Sequence, residues 1–332
     1  MATIRQVSEL AGVSQATVSR VVNGSSRVSH DKKLRVEKAM QTLDYQPTSI
    51  AHSSARIKTG SVGLVIPELA GPYYGNIMHS IETTLRPLGY HLVVTSGGDN
   101  IQAEQSAVDF LLSRRVDALL LYTSYLSDDD LIDLSNQNIP LVILSREIPE
   151  LVDSCIDLDD EMGGLVATRH LIELGHRKIA CITGPLAKSG ARARLQGYRT
   201  ALEEANIIYD AKLVIEAGYT ELSGTRAFEK LINRTQEFSA IFCCNDLMAI
   251  GTLGVLKEHK TQSPISVMGF DNILFSQYVS PSLSTVNYPI EKMSIEAVHL
   301  LLQKLNKQKP DVQFKFSPTL VARESTRAYP HI

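Results

Sequence analysis

A chain of 332 residues with 44% hydrophobic content is long enough for a small domain beside a large two-lobed one. Its apolar runs stay well short of the roughly 20 residues that cross a bilayer, and it opens on a polar stretch, so neither a membrane partner nor a secretory leader is expected and the protein is assigned to the cytoplasm. The net charge of −3 hides a division: residues 1–60 hold nine Lys or Arg against four Asp or Glu, a balance of +5, and the remainder holds 24 against 32, a balance of −8. A basic head on an acidic body directs one end of the molecule at phosphate and discourages the other from binding it.

The first elements fall between Thr3 and Tyr45. Ile4, Val7, Leu10 and Ala11 form the apolar face of a short helix, and Val18, Val21 and Val22 face inward from a second one. Thr3 followed by Gln6 is a capping-box start, Gly12 frees the turn, and Ser14 is placed to cap the second helix, which together describe a helix-turn-helix. Ser29 can cap a third helix whose Leu34, Ala39, Met40 and Leu43 close a small core. The second helix then exposes Gln15, Ala16, Thr17, Ser19 and Arg20, short polar groups and one planar cation, a surface suited to base edges and phosphates in a major groove.

The run Ala11-Gly-Val-Ser-Gln-Ala-Thr-Val-Ser-Arg-Val-Val-Asn-Gly24, followed by a helix and Tyr45-Gln46-Pro47, resembles the headpiece of the lactose-repressor family of bacterial transcription regulators, and the likeness runs along nearly the whole chain. Within the family it is most similar to the branch of galactose and aryl-glucoside repressors. The resemblance implies a homodimer on near-palindromic operator DNA, with Gln15, Ala16 and Arg20 at base edges and Thr3, Ser14, Thr17, Ser19 and Asn23 setting register on phosphates and sugars. It also implies a hinge helix over residues 47–60, loose in the free protein and ordered on DNA, since about ten residues of helix are marginal alone. The family wedges a leucine between base steps from this hinge, but the matching residue here is Ser54, which buries too little apolar area to offset unstacking. DNA bending is therefore expected to be weaker, or to rely on Ile50 or Ile57. Exchanging Ser54 for Leu is expected to tighten operator binding and enlarge the bend angle measured by circular-permutation gel shift, and no change in either would count against this account.

From Ser61 onward short apolar runs alternate with amphipathic helices. Strands are expected at Val62 to Pro67, His91 to Thr95, Ala118 to Tyr122 and Pro140 to Ser145, with helices near 75–88, 102–115 and 128–137. The series restarts with a helix near 161–175 and strands at Lys178 to Thr183, Leu213 to Glu216, Ala240 to Cys243 and Ile265 to Phe270. The chain crosses back near Tyr288 into a helix at 290–306, and a last strand lies near Thr319 to Glu324. Such rotation means parallel sheets in two doubly wound lobes, an α/β architecture similar to the type I periplasmic-binding-protein fold. The expected division is a headpiece at 1–46, a hinge at 47–60 and an effector-binding, dimerising core at 61–332. Within the core, lobe 1 takes about 61–159 plus 289–318 and lobe 2 about 160–288 plus 319–329. No heptad extension points to a tetramerising tail.

In open parallel sheets ligands lie beyond the carboxyl ends of the strands. The loops there offer Tyr73 and Tyr74, Ser145 and Arg146, Arg192 and Arg194, Tyr219, Asn245 and Asp246, and Asp271 and Asn272. These groups suit a polyol, with Arg, Asn and Asp engaging hydroxyls and a tyrosine face covering the C–H side of a sugar ring. The resemblance carries the effector pocket to Arg194, Tyr219, Asn245, Asp271 and Tyr288, and with them Ser145 and Tyr73. Asn245 and Asp246 have a second reading as helix caps, and Arg192 and Arg194 as a solvated pair.

Cys155, Cys181, Cys243 and Cys244 lie in apolar runs without zinc spacing and read as reduced core residues. Gly184 to Ser189 lacks P-loop spacing, no Gly-x-Ser-x-Gly elbow occurs, and His170 and His176 are six apart, so no enzyme, metal or cofactor is expected. The expected function is repression of a carbohydrate operon under control of a small sugar. The alternatives are a purine-responsive co-repressed regulator and a sugar-binding module without a role on DNA.

Overall fold

A computed structural model describes residues 3–22, 28–43, 45, 58–235, 237–258, 265–308 and 314–329. It divides into two compact units, residues 1–58 and residues 59–332. Asn23, Ser54 and the hinge at 47–57 lie outside the described residues.

In the first unit, α1 (Ile4–Ala11) opens on the capping box: Gln6 N donates to Thr3 Oγ1 at 3.3 Å and Thr3 N donates to Gln6 Oε1 at 2.8 Å. It ends at Gly12, whose φ of +63° lies in the left-handed region that a side chain would strain. α2 (Gln15–Val22) is capped by Ser14 Oγ, which accepts from Thr17 N at 3.2 Å. α3 (His30–Thr42) has Ser29 at its N-cap without a side-chain bond.

Val7, Ala11, Val18, Val36 and Ala39 make the core of this unit. Three inward assignments fail: Leu10, Val22 and Leu34 are 54%, 36% and 53% exposed. The inward stripe of α3 is Val36, Ala39, Met40 and Leu43, and Leu34 sits two positions from Val36, nearly opposite on the helix. Arg35 donates to the carbonyls of Ala11 at 2.7 Å and Gly12 at 3.2 Å, satisfying the open end of α1 from another helix.

The second unit begins as β1 (Ser61–Ile66), α4 (Pro72–Leu85), β2 (His91–Ser96), α5 (Ile101–Ser113), β3 (Ala118–Leu121), α6 (Asp128–Ser135), β4 (Leu141–Leu144) and β5 (Cys155–Leu158). A second run follows: α7 (Asp160–Glu173), β6 (Ile179–Thr183), α8 (Ser189–Glu204), β7 (Val214–Glu216), α9 (Glu221–Arg234), β8 (Ala240–Cys243), α10 (Asp246–Glu258), β9 (Ser266–Asp271) and β10 (Ser284–Asn287). Then come α11 (Ile290–Leu305), β11 (Phe314–Phe316) and β12 (Thr319–Val321). One sheet has the order β11-β5-β4-β3-β1-β2 and the other β12-β10-β9-β8-β6-β7. The chain thus passes between lobes three times, after β5, after β10 and between β11 and β12.

The first sheet is parallel throughout. The second departs from the all-parallel expectation at its edge, where β12 runs antiparallel to β10. β12 also stops at Val321, short of the expected Glu324. β5, β10 and β11 were not expected as strands: they are three or four residues each, and Asp157 and Asn287 break the apolar runs that mark the others. α11 packs on α4 and on the first sheet, as the crossing near Tyr288 requires. The start of the unit is tied to lobe 1, where Asp117 accepts from Thr59 N at 2.9 Å and Gly60 N at 2.8 Å. All four cysteines are free and buried.

Candidate effector cavity and candidate nucleic-acid surface

A cavity of about 740 Å³ lies between the lobes at the carboxyl ends of the strands. The backbone is strained around it: Ser145, Tyr219, Asp271 and Asn272, all at or just after strand ends, have positive φ of 60°, 65°, 110° and 56°. Each turn aims a side chain that regular strand geometry would direct elsewhere. Tyr219 is further fixed because its ring lies where a Cβ on Gly184 would be, 2.0 Å from the ring carbon bearing the hydroxyl.

Arg194, from α8, forms the floor. Its Nε donates to Asp160 Oδ1 at 2.7 Å, its Nη1 donates to Cys244 O at 2.6 Å, and Nη1 lies 3.7 Å from Asp271 Oδ1. The guanidinium is 3.7 Å from the centre of the Phe270 ring. Burial pushes the Asp160 and Asp271 carboxyls above the usual carboxylate range, and Arg194 pulls both back. Burial works against the Arg194 charge, but Asp160, Tyr219 and Asp271 hold its proton in place. One cation therefore serves two carboxylates.

The lobe 1 wall is aromatic. Tyr73 meets Tyr74 and Tyr122 edge to face, with centroids 5.2 and 6.3 Å apart, and its hydroxyl is 3.2 Å from that of Tyr122. Burial raises the pKa of Tyr73, Tyr74, Tyr122, Tyr219 and Tyr288, which leaves neutral hydroxyls able to donate or accept. Beside this wall the fully buried Glu104 accepts from the N–H groups of Ser124, Tyr125 and Leu126 at 2.6, 2.9 and 2.8 Å, holding the loop after β3.

Of the residues expected at the pocket, Tyr73, Ser145, Arg194, Tyr219, Asn245 and Asp271 line the cavity. Tyr288 does not: it is 3% exposed, its ring meets Tyr73 and Phe270, and its hydroxyl is 2.7 Å from Ser145 Oγ, so it backs the wall. Asn245 also works as a cap, with Oδ1 accepting from Met248 N and Nδ2 donating to Tyr219 O, both at 2.9 Å. Asp246 is buried away from the cavity, bound to Ile273 N, Ser276 Oγ and Thr285 Oγ1, and burial lifts its pKa to about 6. Arg192 donates to the carbonyls of Leu186 and Ala187, both at 2.7 Å, in place of the solvated pairing.

Asp160, Tyr122 and Lys188 line the cavity without having been singled out. Asp160 follows β5, a four-residue strand whose Asp157 interrupts the apolar pattern, so the sequence marks no strand end from which a ligand loop would start. Tyr122 directly continues the apolar run of β3, which ends at Leu121, and in the sequence it is indistinguishable from a core residue of that strand.

In the other unit, Gln15, Ala16 and Arg20 are exposed on α2 and Thr17 is half-buried. Ser14 Oγ lies 3.0 Å from Thr17 Oγ1, and the Thr3 hydroxyl is bonded to Gln6 at 3.1 Å. Ser19 lies on the same helix. Arg20 forms no salt bridge among the described residues, and Arg5 is paired with Glu9 at 2.9 Å.

Residues 3–48 match the family described as bacterial regulatory proteins, lacI family, and residues 168–326 match the periplasmic binding protein-like domain. The HTH-type transcriptional regulator GalR of Escherichia coli is 40% identical over 328 residues, covering 98% of this chain and 96% of that protein. The HTH-type transcriptional repressor PurR of Photorhabdus laumondii is 36% identical over 331 residues, covering 98% and 97%. Among solved structures, a complex of the transcriptional regulator CelR with cellobiose aligns with a TM-score of 0.74 at 32% identity, covering 98% of this chain and 100% of that one. A lac repressor dimer bound to operator and the anti-inducer ONPF aligns with a TM-score of 0.77 at 30% identity, covering 98% and 99%.

Proposed function

Because the chain belongs to the lacI family of bacterial regulatory proteins, we propose that it represses a carbohydrate-utilisation operon and releases its operator when a small sugar or glycoside binds between the lobes. It is a DNA-binding transcription regulator and not an enzyme. Two copies bind a near-palindromic operator, each presenting α2 to one half-site, so that protein symmetry is reflected in the DNA. The exposed apolar trio Leu274, Phe275 and Tyr278 offers surface for a second copy, and sedimentation of the intact chain checks the dimer. As a transcription regulator it works in the cytoplasm, and among the described residues no helix is long and apolar enough to cross a membrane.

One observation carries the sugar reading: a buried guanidinium and a buried carboxylate, Arg194 and Asp271, face a cavity whose opposite wall is tyrosine. Ligand hydroxyls bridge this polar floor and the aromatic wall, and pull on both lobes at once. Thr59 and Gly60 are bonded to Asp117 of lobe 1, so a change in lobe angle moves the point from which the chain leaves for the hinge. The coupling is about 1 to 3 kcal/mol and acts equally on sugar and operator affinity.

The test is fluorescence anisotropy of a labelled near-palindromic duplex. Binding is expected to weaken steeply with salt, to vanish when residues 1–60 are deleted, and to weaken with sugar. Equal binding by the truncated chain would refute the reading. The likeness to PurR favours a second one, in which a nucleobase strengthens operator binding, and tightening by nucleobase without response to any sugar selects it.

A further inference from the structure

The first unit holds α2 in place with a small core. Val7, Ala11, Val18, Val36 and Ala39 compose it, to which α2 supplies Val18, with Val21 packed alongside. Gly12, Val13 and Ser14 are all that joins α1 to α2. Short side chains of this kind decide which faces meet, but they leave the tilt of one helix on another loosely determined.

Arg35 supplies the missing restraint from α3. Its Nη2 donates to Ala11 O at 2.7 Å and to Gly12 O at 3.2 Å, so one nitrogen grips the last carbonyl of α1 and the first of the turn. Ser8 O and Glu9 O are satisfied within the turn itself, by Val13 N at 3.1 Å and Gly12 N at 3.3 Å, whereas Ala11 O and Gly12 O receive these bonds from another helix. Position 12 is shaped for the contact as well as for its φ of +63°, because a Cβ there would stand 2.6 Å from Arg35 Nη2. Asp31, one turn earlier on α3, lies 4.0 Å from Nη1 and restrains the fork from its own helix. A cation at this end of α1 also meets the negative end of the helix dipole.

The Arg35 side chain is 49% exposed, so these bonds add little to stability in water. What they fix is geometry. They tie the turn that launches α2 to α3, and α2 must bring Gln15, Ala16 and Arg20 to base edges, where a displacement of about 1 Å spoils a hydrogen bond. We propose that Arg35 is a positioning residue for operator recognition: by holding the carbonyls of Ala11 and Gly12 it sets the tilt of α2, and so governs discrimination between operator and other DNA without itself touching the duplex. This rests on the reading of α2 as the groove-facing helix.

Anisotropy of the intact chain tests it over a range of salt, with a labelled duplex that the chain selects from a random pool and a random duplex of the same length. The temperature is one at which amide hydrogen exchange shows α1, α2 and α3 folded in each variant. Arg35→Met, similar in length and without donors, is expected to weaken the selected duplex about tenfold and the random one less than about twofold, with the salt slope unchanged. Arg35→Lys is expected to recover selected-duplex binding to within about threefold, because the three donors of an ammonium can serve both carbonyls. Should Arg35→Met leave the helices unprotected, Arg35→Gln, whose amide still donates, is read in its place and is expected to cost about threefold on the selected duplex alone. Unchanged discrimination in the folded variant would make Arg35 a stabilising contact and nothing more. Equal loss on both duplexes with a shallower salt slope would make it a phosphate contact, and failure of Arg35→Lys to recover binding would remove the carbonyl grip as the cause. Each of these overturns the proposal and leaves α2 as the reading helix; an unaltered chain that binds selected and random duplex alike would overturn that reading as well.

Discussion

The reading surface of α2 and the floor of the cavity both depend on an arginine, and the two arginines live under opposite conditions. Arg20 is exposed and unpaired among the described residues, so it costs the folded state nothing and is free to meet a base edge. Arg194 is 7% exposed, bound to a carboxylate and a carbonyl, close to a second carboxylate and stacked on Phe270. A recognition group on the surface can be replaced with little effect on stability. One inside the protein cannot, because its partners are left charged and dry.

The largest expected effect follows from that contrast. Arg194→Met should abolish sugar binding and lower stability by about 3 to 5 kcal/mol, since Asp160 and Asp271 would stay buried without their cation. Urea unfolding checks it, and a loss under about 1 kcal/mol would mean that the two carboxylates shed their charge freely.

A second test concerns buried charge away from the ligand. Asp246 has its pKa raised by burial to about 6, so the folded state holds its proton more tightly than the unfolded chain does. This contribution to stability is fully present below about pH 4 and is lost as pH rises through about 6, by roughly 3 kcal/mol. Asp246→Asn should remove that slope from urea midpoints measured between pH 4 and 6, and an unchanged slope would show that other groups produce it.

The smallest effect belongs to the surface. Arg20→Ala should weaken cognate operator binding by about 1 to 3 kcal/mol and relax preference at one base pair, with thermal stability unchanged. An equal loss on random duplex would make Arg20 a phosphate contact, and a loss of stability would erase the contrast with Arg194.

The sequence by itself determined the headpiece and its caps, since Thr3, Gln6, Gly12 and Ser14 act on neighbours within four residues. It likewise determined the two-lobed alternation, because long apolar strands such as Ser61–Ile66 are hydrophobic on both faces. It went wrong where local pattern is weak or ambiguous: Leu34 was placed inside although Val36 owns the stripe, and β5 and β10 were too short and polar to stand out. Only the tertiary structure decided that Tyr288 backs the wall, that Asp160 shares Arg194 with Asp271, and that Glu104 sets the Tyr125 loop. Those pairs are separated by 21 to 143 residues, and such contacts exist only once distant segments have packed and removed water from between them, within one lobe for Glu104 and for Arg194 and between the two lobes for Tyr288 and Ser145.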